Sequence, residues 1–341
     1  MRRRWVMAFV LMLPTAGNAQ TAIGKYAGEF LAVGVGGRAL GMGGASVATA
    51  GDVTASYWNP AGLAQITYPE VVLMHAEQFG NLVNYDYGGV AFPVGTQTSV
   101  GFSVIRLGVD DIADTRLAGL DATGNITYDL AQFNRIDYNR VTYFNAADWA
   151  FLFTYARQST EDLSYGGNLK IIRENMGDFG ATGIGVDIGV LYRLNEIVML
   201  GANLQDATTT LVAWNTGRKD LISPTLKIGG AGSLEALGGR FLPAVDFDVR
   251  FENRRYASEI HLGRMSIDVH SGLEFEYKKV VALRAGYSDV KAPTLGVGVH
   301  LPKLNIDYSF MKFDKDSQLG DTHRISLLFT LESDQFKRPI E

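Results

Sequence analysis

The segment Leu304–Phe310 alternates strictly between large apolar residues and small polar or charged residues. Because a β-strand directs successive side chains to opposite faces, such a segment has one apolar face and one hydrophilic face. The same alternation recurs in Val245–Phe251 and in Ile267–His270. Many segments of this kind in one chain predict a β-sheet whose two faces meet different environments.

The N-terminus has the organisation of an export signal over residues 1–19. Three arginines at positions 2–4 precede an apolar run from Trp5 to Leu13, and small residues lead to a cleavage point after Ala19. The apolar run is too short to span a bilayer. We therefore predict a cleaved signal peptide and export of the mature chain.

Composition and charge exclude several classes of function. Without the three arginines of the signal, the formal net charge goes from −5 to −8, which argues against nucleic acid as a partner. No later apolar run reaches the roughly 18 residues that a transmembrane helix needs, although 47% of all residues are hydrophobic. Strands with lipid on one side and water on the other reconcile these two observations, since averaging along the chain hides their apolar face.

Fourteen alternating segments follow the N-terminal region. They lie near residues 69–77, 83–94, 97–107, 147–157, 163–175, 181–193, 196–207, 223–234, 240–252, 266–277, 279–288, 292–300, 303–313 and 320–331. The long connections 108–146, 208–222, 253–265 and 314–319 fall at one end, opposite a set of short connections, as in outer-membrane barrels. We therefore predict an all-β fold, a 14-stranded antiparallel transmembrane β-barrel over residues 69–331, surrounded by the lipid of the bacterial outer membrane.

Charged side chains on strands 8 to 14 point into the lumen in this register. Among them are Lys227, Asp246, Asp248, Arg250, Asp268, Glu274, Arg284, Asp307 and Arg324. Charges of both signs can pair across neighbouring strands. They form either a structural lattice that props open or fills the barrel, or a selectivity surface for a polar permeant.

Residues 20–68 break the alternation and form a separate N-terminal segment, rich in glycine and other small residues. Its motif residues are Gly37, Arg38, Gly41, Gly43, Gly44, Asp52, Trp58, Asn59 and Pro60. Small residues let a backbone approach another surface closely, and the barrel lumen is the surface available. We expect the N-terminal segment to fold into the lumen as a hatch or plug, and residues 332–341 to form a charged C-terminal tail.

The motif Gly37–Ala45, followed by Tyr57–Leu63, resembles the N-terminal segment of the FadL superfamily of outer-membrane barrels, and in its fuller form the PorV/PorQ-type branch. Further stretches that resemble this branch are Gly108–Ile112, Ala181–Asp187 and Leu283–Tyr287. The resemblance implies a 14-stranded barrel. In FadL it implies a lumenal hatch and passage of hydrophobic molecules such as long-chain fatty acids; in the PorV branch it implies association with the translocon and cargo of type IX secretion. Asn-Pro-Ala-Gly at 59–62 departs from the Asn-Pro-Ala-Lys-like form of PorV.

No catalytic residue, cofactor site or metal site is expected from the sequence. The five histidines, at positions 75, 261, 270, 300 and 323, lack metal-ligand spacing, and the chain has neither cysteine nor a Gly-x-Ser-x-Gly motif. The stretch 34–39 fits the dinucleotide-binding fingerprint only loosely, and a chain of strands provides no βαβ unit around it. We expect a protein that is not an enzyme.

Two functions stay open on the sequence. In the first, the barrel binds a secretion-system translocon or cargo protein, which predicts a plugged lumen and an apolar or aromatic patch on a loop or the wall. In the alternative, it conducts hydrophobic small molecules, which predicts an apolar lumenal pocket beside the hatch and a kink or gap in the wall. The lumenal charges and the PorV-like motif favour the first. Connection 108–146, with Tyr128 and Tyr138, is a candidate lid or partner surface.

Overall fold

The computed structural model describes residues 28–78, 82–251, 259–312 and 321–339. The predicted signal peptide, the first residues of the N-terminal segment and the predicted loop 314–319 lie outside the described residues. The same holds for the first part of the predicted loop 253–265.

Fourteen strands form a closed antiparallel barrel. They are β1 (Glu70–Gln78), β2 (Val83–Val94), β3 (Thr98–Asp114), β4 (Thr142–Gln158), β5 (Leu163–Met176), β6 (Phe179–Arg193), β7 (Val198–Gln205, continuing as Thr210–Trp214), β8 (Lys219–Ile222, continuing as Thr225–Gly232), β9 (Gly239–Arg250), β10 (Met265–Tyr277), β11 (Val281–Tyr287), β12 (Pro293–Leu301), β13 (Leu304–Met311) and β14 (Thr322–Thr330). Each strand pairs with the next, and β1 pairs with β14 from Glu70 opposite Thr330 to Glu77 opposite His323. The predicted 14-stranded antiparallel barrel is confirmed.

The period-two alternation of the sequence becomes an alternation of burial. On β13, Asp307 and Ser309 are buried on the inner face, whereas Tyr308 between them is exposed. Exposed apolar side chains cover the outer face; examples are Phe153, Tyr155, Leu200, Leu283, Leu295 and Ile325. A continuous apolar outer surface around a closed sheet is the property that suits a barrel to lipid.

The two ends of the barrel differ in the length of their connections. At one end, here called the short-turn end, the strands are joined through residues 95–97, 159–162, 194–197, 233–238, 278–280 and 302–303. The other end carries the longer connections, including 115–141, and is called the long-loop end. Two short strands, Leu234–Ala236 and Ile260–Leu262, pair with β9 and β10 respectively.

The long connection predicted at 108–146 is shorter than expected, because β3 and β4 extend far beyond their predicted ends. A β-bulge at residues 110–111 shifts the pairing between Val109 and Ile112, and Asp111 there has a φ of 55°. Beyond the bulge the pairing continues with its register shifted by one residue, from Ile112 opposite Phe144 to Asp114 opposite Thr142. The remaining connection, 115–141, contains a small hairpin of Gly119–Leu120 with Arg135–Ile136.

The predicted loop 208–222 is also wrong, because most of it continues the sheet. Thr210–Trp214 pairs with Lys219–Ile222 as a hairpin that lengthens β7 and β8. Residues 206–209 interrupt β7, and Asp206 and Thr209 have positive φ values of 52° and 58°. The left-handed backbone at these two residues interrupts the β-ladder and allows it to resume four residues later. The alternation of side chains in the sequence does not reveal this interruption.

The described part of the N-terminal segment folds into four short turns of helix. They are the 3₁₀-helix Glu29–Val33, the α-helices Gly37–Gly41 and Ala55–Trp58, and the 3₁₀-helix Pro60–Gln65. Asn59 caps the last of these, accepting a hydrogen bond from the amide of Ala61 at 3.2 Å. Within the described ranges, no helix has the length and apolarity needed to cross a membrane.

The helices Ala55–Trp58 and Pro60–Gln65 pack against the inner faces of β3 to β6, whereas the helix Gly37–Gly41 lies against β11 to β14. Their apolar side chains share one buried cluster with wall residues; its members include Phe30, Val35, Val53 and Leu63 from the segment and Tyr87, Ile105 and Leu152 from β2, β3 and β4. Burial of such side chains supplies roughly 25 cal/mol per Å² of apolar surface. Hydrophobic packing therefore fixes this part of the N-terminal segment to the first strands of the barrel.

The C-terminal tail folds back across the short-turn end. The amide of Leu331 donates to Pro69 O at 2.8 Å, and the amide of Arg338 donates to Thr67 O at 2.8 Å. The guanidinium of Arg338 donates to Ile66 O at 3.0 Å and to Ser99 Oγ at 2.6 Å. The tail thus contacts both the barrel rim and the end of the N-terminal segment.

Candidate functional site

Four charged side chains join the N-terminal segment to the wall at β10, β11 and β13. Arg38 donates from Nε to Glu274 Oε2 at 2.9 Å and from Nη2 to Glu274 Oε1 at 3.0 Å. Arg284 donates to Glu274 Oε2 and to Asp307 Oδ1, each at 2.6 Å. Hydrogen bonds between charged groups are stronger than neutral ones. One buried carboxylate, that of Glu274, therefore serves two arginines and fixes the helix Gly37–Gly41 to the wall.

A second set of contacts holds the backbone that follows this helix. Asp246 Oδ2 accepts hydrogen bonds from the amides of Ser46 at 2.6 Å and Val47 at 2.8 Å. His270 Nδ1 lies 2.8 Å from Gly43 O. Successive backbone amides that converge on one carboxylate form a small anion-binding nest, which here is filled by a side chain of the barrel itself.

The other predicted lumenal charges pair with one another, with one exception. Lys227 binds Asp248, and Arg250 Nη1 binds Asp268 Oδ2 at 2.6 Å. Arg324 alone among the predicted lumenal cations has no carboxylate partner within the described part of the chain. The paired charges act as a lattice that holds the N-terminal segment.

Uncharged inward-facing residues that the sequence analysis missed bind the helix Ala55–Trp58. The side-chain amides of Asn168, Asn203 and Gln205 donate to the carbonyls of its last three residues at 2.6, 3.0 and 3.1 Å. The last carbonyls of a helix lack partners within the helix, so these amides cap it. Their position on the inner face follows the same alternation as the charges, which is the signal that could have revealed them.

A buried ion-pair cluster on β5 to β7 was also missed. Lys170 Nζ lies 3.0 Å from Asp187 Oδ1 and 2.7 Å from Asp206 Oδ1. The amide of Asp206 donates to Asp187 Oδ1 at 2.9 Å. The cluster stabilises the wall where β7 is interrupted, since Asp206 is the first residue of the interruption.

Two glycines allow the N-terminal segment to touch the wall backbone to backbone. A Cβ on Gly43 would lie 2.5 Å from Tyr287 O, and the φ of Gly43 is +67°. A Cβ on Gly286 would lie 2.3 Å from the amide nitrogen of Gly43. No side chain fits at either position. This close contact of two backbones explains why glycine is needed at Gly43 of the motif and at Gly286 of the wall.

The other motif residues hold the segment through their own contacts. The amide of Gly37 donates to Ser326 Oγ at 2.9 Å, and Gly41 O accepts from Thr294 Oγ1 at 3.1 Å. Gly44 lies against His270, and Pro60 begins the 3₁₀-helix. The carboxylate of Asp52 accepts a hydrogen bond from the amide of Thr54 at 2.7 Å, and the indole of Trp58 donates to Val35 O at 2.9 Å. That this segment closes the lumen in the membrane stays a prediction.

Two lumenal cavities of about 460 Å³ each lie on opposite sides of the N-terminal segment. The long-loop cavity is lined by apolar, aromatic and ionisable side chains. The apolar and aromatic ones include Leu31, Val33, Leu40, Tyr57, Trp58 and Met311, and the ionisable ones are Lys227, Arg250, Arg324, His270, Glu29, Asp206, Asp248 and Asp289. The interrupted part of β7 reaches this cavity at Asp206. It is therefore an amphipathic chamber beside the N-terminal segment.

The short-turn cavity is more polar. Its lining includes Arg38, Asp52, Gln65, Arg240, Glu276 and His300. Within the helix Gly37–Gly41, Ala39 lines the short-turn cavity and its neighbour Leu40 lines the long-loop cavity. One turn of helix thus lies between the two chambers.

The lumenal charge density gave an incomplete picture of the interior. The inner faces of β1 to β4 are largely apolar; Met74, Tyr85, Ile105 and Leu152 are examples. Most inward charges lie on β5 to β14, where they pair with one another or bind the N-terminal segment. The sequence analysis took the number of lumenal charges as an argument against a hydrophobic permeant. Because these charges are largely paired, their number does not argue against one.

No protein-family model and no curated protein matches this chain. Solved structures with similar folds include two toluene transporters and a FadL homologue. The toluene transporter TbuX of Ralstonia pickettii has a TM-score of 0.58 at 13% identity, over 88% of this chain and 99% of that chain. The toluene transporter TodX of Pseudomonas putida has a TM-score of 0.54 at 14% identity, over 86% of this chain and 96% of that chain. A FadL homologue of Pseudomonas aeruginosa has a TM-score of 0.52 at 10% identity, over 86% of this chain and 98% of that chain.

At these identities the likeness establishes the barrel fold and carries no substrate to this chain. It is shared with FadL-like barrels and does not distinguish the PorV/PorQ-type branch. Across the described ranges, no three histidine, aspartate or glutamate side chains are grouped so as to hold a metal ion.

Proposed function

We propose that this protein is an outer-membrane conduit for hydrophobic small molecules, gated by its N-terminal segment. The observation that carries the proposal is the long-loop cavity, an amphipathic chamber of about 460 Å³ bordered by Leu40 and Trp58 of that segment. Pockets of this size and lining are typical of small-molecule sites. Barrels with a similar fold include two named as toluene transporters.

The difference between the two ends supports a direction of transport. Outer-membrane barrels carry their long loops outside the cell and their short turns in the periplasm. In this orientation, a ligand enters the long-loop cavity from outside, and the helix Gly37–Gly41 stands between it and the short-turn cavity. Passage then requires this helix to move.

The contacts of the N-terminal segment suggest which part moves. Apolar packing holds residues such as Val53 and Leu63 against β2 to β4. Ion pairs and hydrogen bonds hold the helix Gly37–Gly41 against β10 to β14, through Arg38 above all. Water in the short-turn cavity can replace polar contacts but not apolar burial. We therefore place the moving part of the gate at residues 37–44.

Cross-linking tests the gate directly. The chain has no cysteine, so Arg38→Cys and Glu274→Cys can be joined specifically by a short thiol reagent with a reducible centre. Uptake of radiolabelled toluene by cells that carry the double variant should fall on cross-linking and recover on reduction. Each single variant, treated with the same reagent, is the control. Uptake that is unaffected by the cross-link refutes the gate, and uptake no greater than in cells without the protein refutes the conduit.

The second candidate function is a partner barrel of PorV/PorQ type in protein secretion. Connection 115–141 presents large apolar side chains to solvent: Leu130 is 90% exposed, Tyr138 81% and Tyr128 76%. Exposed apolar groups of this size, clustered on one loop, favour contact with another protein. Pull-down from native outer membranes tests this function. Recovery of a secretion translocon or its cargo, lost in Tyr128→Ser and Leu130→Ser, supports it; recovery of the barrel alone refutes it.

A further inference from the structure

The C-terminal tail is attached to the short-turn end of the barrel at two points. The first is the hydrogen bond from the amide of Leu331 to Pro69 O, and the second is Arg338. Residues 332–337 between these points are exposed, as is Pro339, whereas Arg338 is half-buried. Within the described part of the tail, one residue therefore holds the far end against the barrel.

The guanidinium of Arg338 reaches from the tail to the inner face of the wall. Its Nε donates to Ile66 O at 3.0 Å, and its Nη2 donates to Ser99 Oγ at 2.6 Å. Its Nη1 donates to Thr96 O at 3.2 Å and to Thr98 O at 3.3 Å. Ser99 is buried on the inner face of β3. The side chain thus bridges the end of the N-terminal segment and the start of β3.

The chemistry of these contacts suits an attachment that can be released. All four acceptors of the Arg338 guanidinium are neutral oxygen atoms, three carbonyls and one hydroxyl. Arg38 and Arg284 differ, since each binds the carboxylate of Glu274. Water can replace neutral acceptors at small net cost, whereas a broken buried ion pair leaves a charge without its partner. The far end of the tail can therefore leave the barrel while the wall and the N-terminal segment stay folded.

A third cavity, of about 340 Å³, lies beside Arg338 at the short-turn end and is here called the mouth cavity. Its lining includes Gln65, Thr67, Glu161, Arg193, Met199 and Arg338. Gln65 and Met199 also line the short-turn cavity, so the two cavities meet at these side chains. Glu161 is exposed, in the connection between β4 and β5. The mouth cavity therefore lies between the short-turn cavity and the solvent at this end of the barrel.

We propose that the C-terminal tail is a strap across the periplasmic exit of the conduit, and that release of Arg338 opens this exit. The inference rests on the proposed conduit, whose orientation places the short-turn end in the periplasm. A ligand that has passed the helix Gly37–Gly41 enters the short-turn cavity and leaves it past Gln65 and Met199, beside Arg338. The conduit thus has one gate on each side of the short-turn cavity.

Access of a thiol reagent to the mouth cavity tests the strap without any transport. The chain has no cysteine, so Met199→Cys places a single thiol where the two cavities meet. In the purified, detergent-solubilised protein, addition of Arg338→Ala should accelerate labelling by a charged maleimide about 10-fold, the shift expected for loss of a hydrogen bond to a charged group. Addition of Lys337→Ala, at an exposed residue, should leave the rate unchanged. Arg338→Lys should lie between these two, because lysine keeps the charge but lacks the planar set of donors.

Uptake of radiolabelled toluene by cells tests the strap as a gate. Arg338→Ala should raise the initial rate of uptake, and Lys337→Ala should not. A closed strap should have the opposite effect. Thr67→Cys and Lys337→Cys can be joined by a short thiol reagent with a reducible centre, which leaves Arg338 in place. Uptake should then fall on cross-linking and recover on reduction, whereas each single variant treated with the same reagent should not respond. Shifted gel mobility on heating shows that each barrel is folded.

The outcomes separate this inference from the conduit on which it rests. If the wild type takes up more toluene than cells without the protein, but Arg338→Ala changes neither labelling nor uptake, the strap is overturned and the conduit stands. Faster labelling with unchanged uptake also overturns the strap as a gate, because release of Arg338 then does not control passage. If the wild type adds no uptake, the conduit is overturned, and with it the exit that the strap would control.

Discussion

The guanidinium of Arg38 contacts both carboxylate oxygens of Glu274, at 2.9 and 3.0 Å, across 236 residues of sequence. The same carboxylate also accepts from Arg284 at 2.6 Å. Because one acid serves two arginines, its loss leaves the half-buried Arg38 and the buried Arg284 without their shared partner. Substitution of Glu274 therefore removes the main polar contact of Arg38 with the wall.

Glu274→Gln should release the helix Gly37–Gly41 from the wall. Removal of one partner of a buried ion pair costs about 3–5 kcal/mol, because the remaining charge stays buried. Limited trypsin digestion should then cleave at Arg38, which the wild type protects. Glu276→Gln, a neighbouring acid paired with the half-exposed Arg240, is the control and should keep this protection. Equal protection in both variants would contradict the role of Glu274.

Gly286→Ala should destabilise the folded barrel through a clash of backbones. Its Cβ would lie 2.3 Å from the nitrogen of Gly43, whereas a Cβ on Gly230 meets nothing closer than 3.6 Å. Overpacking of this kind costs about 1–3 kcal/mol. Urea unfolding in detergent, followed by tryptophan fluorescence, should show a loss for Gly286→Ala and little change for Gly230→Ala. Similar midpoints for the two variants would exclude close contact at Gly43.

Asp246→Ala should expose the backbone at residues 46 and 47. Their amides donate to Asp246 at 2.6 and 2.8 Å, and a buried donor left unpaired costs about 1–3 kcal/mol. Hydrogen exchange at Ser46 and Val47 should accelerate in Asp246→Ala. In Asp246→Asn the side chain keeps one acceptor oxygen, so exchange should stay slower than in the alanine variant. The reverse order of the two variants would rule out the nest.

Arg338→Ala should loosen the C-terminal tail from the short-turn end. The substitution removes donors to Ile66 O and Ser99 Oγ, and each such bond contributes about 1 kcal/mol. Carboxypeptidase should shorten this variant faster than the wild type. Lys337→Ala, at the exposed neighbouring residue, provides the comparison and should behave as the wild type does.

The hairpin in connection 115–141 should lose stability only at acidic pH, when Asp121 takes up a proton. Hydrogen bonds from Thr123, at its hydroxyl and amide, and from Asn125 hold the pKa of Asp121 below its usual range. A lowered folded pKa gives stability that is present above the unfolded value, about 3.9, and is lost as the pH falls through the folded value. Proteolysis of the loop by pepsin should therefore rise at the acid end of a pH series. In Asp121→Asn this pH dependence should disappear.

The barrel itself could be predicted from the sequence, because its signal is local and repeated. The alternation in Leu304–Phe310 alone distinguishes an apolar face from a hydrophilic one. The lengths of the connections distinguish the two ends of the barrel. The errors arose where a strand departs from period two. The bulge at Asp111 and the interruption after Gln205 each add residues that no alternation marks, so two loops were predicted where strands continue.

The candidate site was predictable only in its parts. Alternation placed Arg324 and Glu274 on the inner face, and glycine content marked the motif at 37–44. Asn168 and Asn203 were missed because neutral amides carry no charge signal, although the same alternation places them inside. That Arg324 has no carboxylate partner in the described part of the chain could not be predicted, since it depends on which inward carboxylates reach which cations.

The sequence by itself determined the strand count, the two faces and the position of the glycine-rich segment, because each follows from the conformation of a few adjacent residues. Tertiary structure alone decided that Glu274 binds Arg38, that Gly286 meets Gly43, and that Arg324 lies beside a cavity without a carboxylate partner among the described residues. These contacts join residues hundreds of positions apart. Closure of the barrel, through the pairing of β1 with β14, brings them together.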